Sequence, residues 1–297
     1  MRGTRLLLAI LLAALPLDAG VVGKGAIRHG LIGAGKVGGG GVGGIPDNGI
    51  VAELYEPDDI VVSHDGNDPL GRTGTDAPKD LGSWASNDLT SKAGTPWFYD
   101  TDPSGGPASD SGYWAGNDFT SAGEAWYNTG GTAETLASGV TVLAVIMVDP
   151  CQDVSPSERS IYGAATSFSS VTGVFIECYN DGSDTYFRGS NSSFDVGPAT
   201  RGQWYIFMYS EDTSANSHDV ALFDLSGSLV SSLQSQASNI ATLGAAGSAL
   251  RMGQFNSGSG YQAPKQWRIS QIRVWESKAP FSAFAPTAQY FIETYGY

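Results

Sequence analysis

Apolar and polar residues alternate most cleanly between Trp267 and Glu276, where Ile272 and Val274 fall on one parity and Gln271 and Arg273 on the other. A period of two is the signature of a β-strand, with one set of side chains on a core face and the other on the opposite face. Upstream, Val140 to Val148 is an apolar run broken only by Thr141, and it is short enough for a strand buried on both faces. Gly173 to Tyr179 and Thr185 to Arg188 flank the turn-forming run Asn180 to Asp184, which predicts a hairpin. Gln203 to Tyr209 reads as another strand. His218 to Leu225 and Ser228 to Leu233 flank the tight turn Ser226-Gly227, and Ala249 to Gly253 leads back to the strand at Trp267. About nine short strands separated by turn clusters, with no long helical period, predict an all-β antiparallel two-sheet sandwich. A short helical pattern from Pro286 to Tyr295, closed by Gly296, follows the last strand. Ile272, Val274, Val142, Phe175 and Phe207 are the expected core.

The late strand Trp267 to Glu276, the return segment Ser277 to Ser282 and the closing Gln289 to Gly296 resemble the laminin-G and pentraxin-like branch of the concanavalin A-like lectin/glucanase superfamily. The aromatic strand after Gly202-Gln203-Trp204 and the Asp224-Leu225-Ser226-Gly227 hairpin extend the resemblance, which covers residues 135–297 well and 80–134 loosely. It implies a jelly-roll sandwich of the kind found in phage and bacterial surface proteins.

The N-terminal part is organised differently. Residues 1–19 place Arg2 and Arg5 before the apolar run Leu6 to Leu15 and end near Ala19, the pattern of a secretory signal or of an apolar anchor buried in an assembly. The run is too short to span a bilayer. Residues 20–49 hold 13 glycines in 30 positions and form no periodic face, which predicts an extended arm that adds no stability to the domain. Gly30 to Val37 imitates a phosphate-cradling loop, and Gly33 to Gly38 a dinucleotide motif. Both need a helix to follow, and Gly38 to Gly41 cannot propagate one. Residues 50–79 are an acidic connector with the short apolar run Ile60-Val61-Val62, and the boundary of the domain 80–297 is expected near Asp80.

Charge narrows the choice of partner. The chain carries −14 overall, but residues 1–36 hold five basic groups against Asp18 alone, so the remainder is at −18. Such a body repels phosphate backbones, which argues against nucleic acid. The two cysteines, Cys151 and Cys178, allow a single bridge if their segments are neighbours.

Candidate chemistry is sparse. Gly82 to Ser91 recurs as Gly112 to Ser121, including Trp-Ala-x-Asn-Asp in both copies. The repeat reads either as a duplicated sugar-binding loop, with Trp84 and Trp114 stacking on rings, or as two strand-turn units whose tryptophans anchor the core. No strand carries alternating acids, the three histidines are scattered, and no nucleophile has triad partners, so no enzyme is expected. Trp97, Trp114, Trp126, Tyr127 and Tyr261 lie in segments rich in Asn, Gly and Ser, expected to form loops. With Asn117 and Asp118 they are the candidate ligand contacts, suited to a neutral or weakly basic glycan. Calcium is a candidate at Asp181 and Asp184, since laminin-G-like domains often hold it with aspartates.

These readings lead to a non-catalytic binding module displayed outside the cell, as in a phage fibre or capsid decoration protein. Its expected partners are a cell-surface or extracellular glycan, and either virion proteins through residues 1–49 or further copies of itself in an oligomer. A secreted or cell-surface bacterial carbohydrate-binding protein is the alternative, and a glycoside hydrolase a more distant one.

Overall fold

The computed structural model describes residues 60–66, 78, 88–93, 97–99, 106–108, 112–116, 125–127, 139–148, 157–163, 175–180, 184–189, 195–212, 215, 217–237, 251–253 and 267–297. The apolar start, the glycine-rich arm and its two glycine motifs, and Cys151 lie outside them, as does most of the first copy of the repeat. The strands are β1 (Ile60–Asp65), β2 (Ser91–Ala93), β3 (Trp97–Tyr99), β4 (Tyr113–Ala115), β5 (Ala125–Tyr127), β6 (Val140–Val148), β7 (Ser157–Gly163) and β8 (Phe175–Asn180). They continue as β9 (Thr185–Gly189), β10 (Val196–Ala199), β11 (Trp204–Asp212), β12 (Ser217–Asp224), β13 (Leu229–Gln236), β14 (Arg251–Gly253) and β15 (Trp267–Trp275). A 3-10 turn, Phe281–Ala283, leads into helix α1 (Phe284–Tyr295).

All strand pairs are antiparallel, and they form two sheets. The eight-stranded sheet runs β13-β12-β11-β6-β15-β4-β3, with β1 also paired to β15. The seven-stranded sheet runs β10-β9-β8-β7-β14-β5-β2. The expected sandwich is therefore present, with more and shorter strands than the apolar pattern suggests. The hairpins are where the turn residues placed them, β8 with β9 and β12 with β13.

Alternation along β6 builds two cores. Val140, Val142, Ala144 and Ile146 join Phe207, Ile272 and Val274 between the sheets, while Leu143, Val145 and Met147 face the other way. That second face is covered by α1, through Phe284, Ala288, Phe291 and Ile292. The strand buried on both faces is thus explained by a sheet on one side and a helix on the other. Ile272, Val274, Val142 and Phe207 are fully buried as expected; of Phe175 only the backbone is described.

The alternation in β15 misleads in one respect. Its polar parity is also sealed, with Gln271 0% and Arg273 5% exposed. The C-terminal segment accommodates them: Gln271 Nε2 donates to Tyr297 Oη at 2.6 Å, and Arg273 Nη2 to Tyr295 Oη at 3.2 Å, while the guanidinium lies 5.7 Å from the centre of the Phe291 ring. The lone polar residue of β6 has a similar use. Thr141 Oγ1 donates to Ser277 O at 2.6 Å and accepts from Ala279 N at 2.8 Å, pinning the return segment to the sheet. Gly296 ends α1 in the left-handed conformation, φ 69° and ψ 34°, which glycine adopts without Cβ strain.

Two further features bear on stability. The sheet takes in residues upstream of the boundary expected near Asp80, because β1 pairs along β15 from Ile60 opposite Trp275 to Asp65 opposite Gln271. At the far edge, the β12 to β13 turn is fixed by Asp224, whose Oδ1 accepts from Ser226 N at 2.9 Å, Ser226 Oγ at 2.6 Å and Ser228 N at 3.0 Å. β13 is the outermost strand there, it exposes Leu229 and Val230, and its pairing with β12 shifts register twice. Partial burial pushes the Asp224 carboxyl up, but the hydrogen bonds from Ser226 and Ser228 together outweigh this and leave it below the ordinary 3.8.

A chain starting near residue 50 is expected to melt with the full chain, whereas one starting near residue 75 lacks β1 and should melt roughly 5 °C lower. Equal melting temperatures for all three, by calorimetry, would show that β1 adds nothing. For the turn, Asp224→Ala should cost about 1 kcal/mol at pH 7. Because the folded carboxyl titrates below the unfolded one, its contribution is complete above pH 3.8 and is lost as the pH falls through the folded value. Urea denaturation of both proteins between pH 3 and pH 7 should show the gap closing only at the acid end.

Candidate functional site

The two sheets differ in what their outer faces offer. That of the eight-stranded sheet is occupied by α1. The outward side chains described on the seven-stranded sheet fall into two groups.

Register assembles them. Residues directly opposite in antiparallel strands share a face, and Ser91 is opposite Tyr127, Tyr127 opposite Arg251, and Arg251 opposite Gly163. Trp126, Met252 and Tyr162, the neighbours of these residues along their strands, point into the core between the sheets. The row Ser91, Tyr127, Arg251, Gly163 therefore faces outward across β2, β5, β14 and β7. Ser91, Tyr127 and Arg251 are half-buried. The Arg251 guanidinium carbon lies 5.2 Å from the centre of the Tyr127 ring, a cation–π distance. Burial lowers the Arg251 pKa from its ordinary value, with Tyr127 acting in the opposite sense, and an arginine so placed stays charged at neutral pH. Gly163 adds no side chain to the row and is itself buried.

A second outward group lies on the same sheet. Glu177 is opposite Arg188, and their neighbours Ile176, Cys178 and Phe187 face the core. Arg188 Nη1 is 3.4 Å from Glu177 Oε1, Nη2 is 3.1 Å from Asp195 Oδ2, and Nε also donates to Asp195 Oδ1. Glu177 is 2% and Arg188 8% exposed. Two carboxylates already engage this guanidinium, so the cluster holds β8, β9 and the start of β10 together.

The interior contains one acid–imidazole pair. Glu211 and His218 face each other across β11 and β12, with Glu211 Oε1 and His218 Nδ1 3.2 Å apart, and the imidazole stacks on Tyr209 at 5.6 Å. The sequence places Glu211 in a polar loop; the structure puts it at the end of β11 and fully buried. Both side chains are sealed between the sheets, out of reach of a substrate.

The sequence-derived ligand contacts divide accordingly. Trp114 and Trp126 are core anchors, 0% and 2% exposed, and Trp114 packs on Phe98 at 5.2 Å between ring centres. Their rings are not offered to a sugar. The expectation of loops fails here because Trp97, Trp114, Trp126 and Tyr127 all lie in strands, each only three residues long, too short for a period to show against Gly- and Asn-rich flanks. Only Tyr127 reaches the outward row, and of Trp97 only the backbone, paired with Ala115, is described. Asn117, Asp118, Tyr261 and Asp181 lie outside the described residues. Asp184 is exposed, and among the described residues no three acidic, histidine or cysteine side chains gather as metal ligands. Cys178 is buried in the core. Sequence reasoning missed Ser91, Arg251 and the Arg188 cluster, although Leu250-Arg251-Met252-Gly253 carries the alternation that exposes Arg251.

No model of a known protein family matches the sequence, and no curated protein matches it. Solved structures match its fold. A receptor binding domain aligns with TM-score 0.50 and 10% identity over 82% of this chain and 53% of its own. The binding domain of botulinum neurotoxin serotype D/C aligns with TM-score 0.48 and 10% identity over 79% and 52%, and a Trypanosoma rangeli sialidase with 0.43 and 9% over 79% and 33%. The chain spans about half the length of the two binding domains it matches. At this identity the first of these shows a shared β-sandwich fold.

If the Arg188 cluster is structural, Arg188→Met should destabilise the fold by about 3 kcal/mol, because Glu177 stays buried without the guanidinium beside it. Adding Glu177→Gln should recover part of that loss in urea denaturation. A single variant as stable as the parent would mean that the cluster does not hold the strands.

Proposed function

We propose that this chain is a non-catalytic carbohydrate-binding module of the concanavalin A-like, laminin-G-like type, and that it binds its glycan on the outer face of the seven-stranded sheet. The observation that carries this reading is the outward row Ser91, Tyr127, Arg251, Gly163. It combines an aromatic ring, a hydroxyl and a cation on a rigid sheet, opposite a face that α1 has closed. Rings with polar groups at fixed positions suit sugars, which present apolar C–H faces and hydroxyl edges together. A receptor binding domain of the same fold supplies the precedent for a binding role.

The setting follows from the rest of the chain. A glycine-rich stretch upstream of an acidic sandwich fits display at a distance from an anchoring surface, outside the cell, as on a phage virion in a fibre or decoration protein. In that setting residues 1–49 would engage virion proteins, or the chain would self-associate into an oligomer.

A glycan array probed with the full chain, with and without a chelator, tests the reading. Binding to at least one oligosaccharide is expected, weakened about tenfold in a folded Tyr127→Ala variant. A folded protein that binds no glycan, or a variant that binds as tightly as the parent, would remove the basis for this site. Loss of binding in chelator would place calcium in the site.

A further inference from the structure

β12 and β13 lose register at two places, and one of these has a side chain built around it. His218 stands opposite Gln236 and Val220 opposite Leu233, so Gln234 and Ser235 together face Asp219 alone. Two residues against one make a β-bulge, and the extra residue is left outside the ladder. Ser235 has φ 55°, and among the described residues it is the one non-glycine with a left-handed backbone. A residue with a Cβ is strained in that conformation. Asp219 supplies what holds it there. Its Oδ1 accepts from Ser235 N at 2.8 Å, and its Oδ2 lies 3.2 Å from Lys278 Nζ, which also donates to Ser217 Oγ. Asp219 is buried and Ser235 is exposed, so the carboxylate, rather than packing around Ser235, fixes the bulge.

We infer that Asp219, steadied by Lys278, is a clamp that keeps β13 from accepting a strand of a second copy of this chain. β13 is an edge strand that pairs, among the described residues, with β12 alone. Its sequence, Leu-Val-Ser-Ser-Leu-Gln-Ser-Gln, has no charge or proline to discourage pairing. Its other interruption lies at Val230, the residue skipped between Ser231, opposite Leu222, and Leu229, opposite Phe223. Between the two interruptions only Ser231, Ser232 and Leu233 keep a regular register. With Ser235 extended and the bulge gone, the regular run would reach from Ser231 to Gln236, the length of an ordinary strand. The fitting occupant is the same strand of a second copy, because two β13 strands laid antiparallel place no like charges opposite one another. The clamp thus fixes the conformation of one residue, and through it the length of edge open to pairing.

Sedimentation velocity of the full chain over a range of concentrations reads the outcome, with urea denaturation confirming that each variant folds. Asp219→Ala should associate at a concentration about tenfold or more below that of the parent. Ser235→Thr should do the same, because a β-branched residue resists the left-handed conformation. That position is exposed and leaves Asp219 and Lys278 in place, so this variant decides the matter even if Asp219→Ala does not fold. Adding Ser235→Gly to Asp219→Ala should return association to the parent level, since glycine adopts the left-handed backbone without the clamp. Adding Val230→Lys instead should also suppress it, by placing a charge on the edge. Folded Asp219→Ala and Ser235→Thr variants that associate no more than the parent would overturn the inference. Association that neither Ser235→Gly nor Val230→Lys reduces would overturn it as well, since it would trace to a general loss of stability and not to the edge.

Discussion

The central pair β6 and β15 must be dry on both faces, and most of the fold follows from that requirement. Each strand is nine residues long and almost wholly buried, so neither can lie in a two-layer structure with one face in water. The second sheet covers one side and α1 the other. The polar groups that this arrangement traps then need partners, because a buried donor or acceptor left without one costs more than a hydrogen bond supplies. The segment after β15 provides them at Thr141, Gln271 and Arg273. Residues 276–297 are in this sense part of the core.

The fold was largely legible in the alternation, and the reason lies in length. β6, β11, β12 and β15 run eight or nine residues, enough for a period of two to register, and the Asx- and Gly-rich turns between them mark the hairpins. The three-residue strands β2 to β5 carry no readable period, which is why Trp114 and Trp126 looked like loop residues. Gln271 and Arg273 looked solvent-facing for a different reason. Alternation reports two faces, but says nothing of a helix that later returns to cover the polar one. β1 hid in an acidic, proline-punctuated setting, although its run of Ile60-Val61-Val62 was visible.

The candidate site was barely legible, since it consists of register. Ser91, Tyr127, Arg251 and Gly163 are spread over more than 150 positions and meet only because four separate strands pair in one alignment. No spacing in a linear sequence encodes that. Tyr127 was found because an aromatic in a polar segment is conspicuous; Arg251 needed the knowledge that Met252 and not Arg251 points into the core. The same logic removes Glu211 and His218 from consideration. As residue types they suggest catalysis, and as neighbours inside the sandwich they form a closed internal pair.

The outermost strand of the larger sheet remains. β13 has eight residues, none of them charged or proline, and it exposes Leu229 and Val230. An uncharged edge of that length is a template onto which another chain can add a strand, and proteins crowded side by side would polymerise through it. Two interruptions of register against β12 within a few residues bend and twist the strand, so that it presents no straight row of donors and acceptors to a neighbour. The net charge of −14 opposes the approach of a second copy from any direction. Local distortion and long-range repulsion together keep copies of the chain from joining edge to edge.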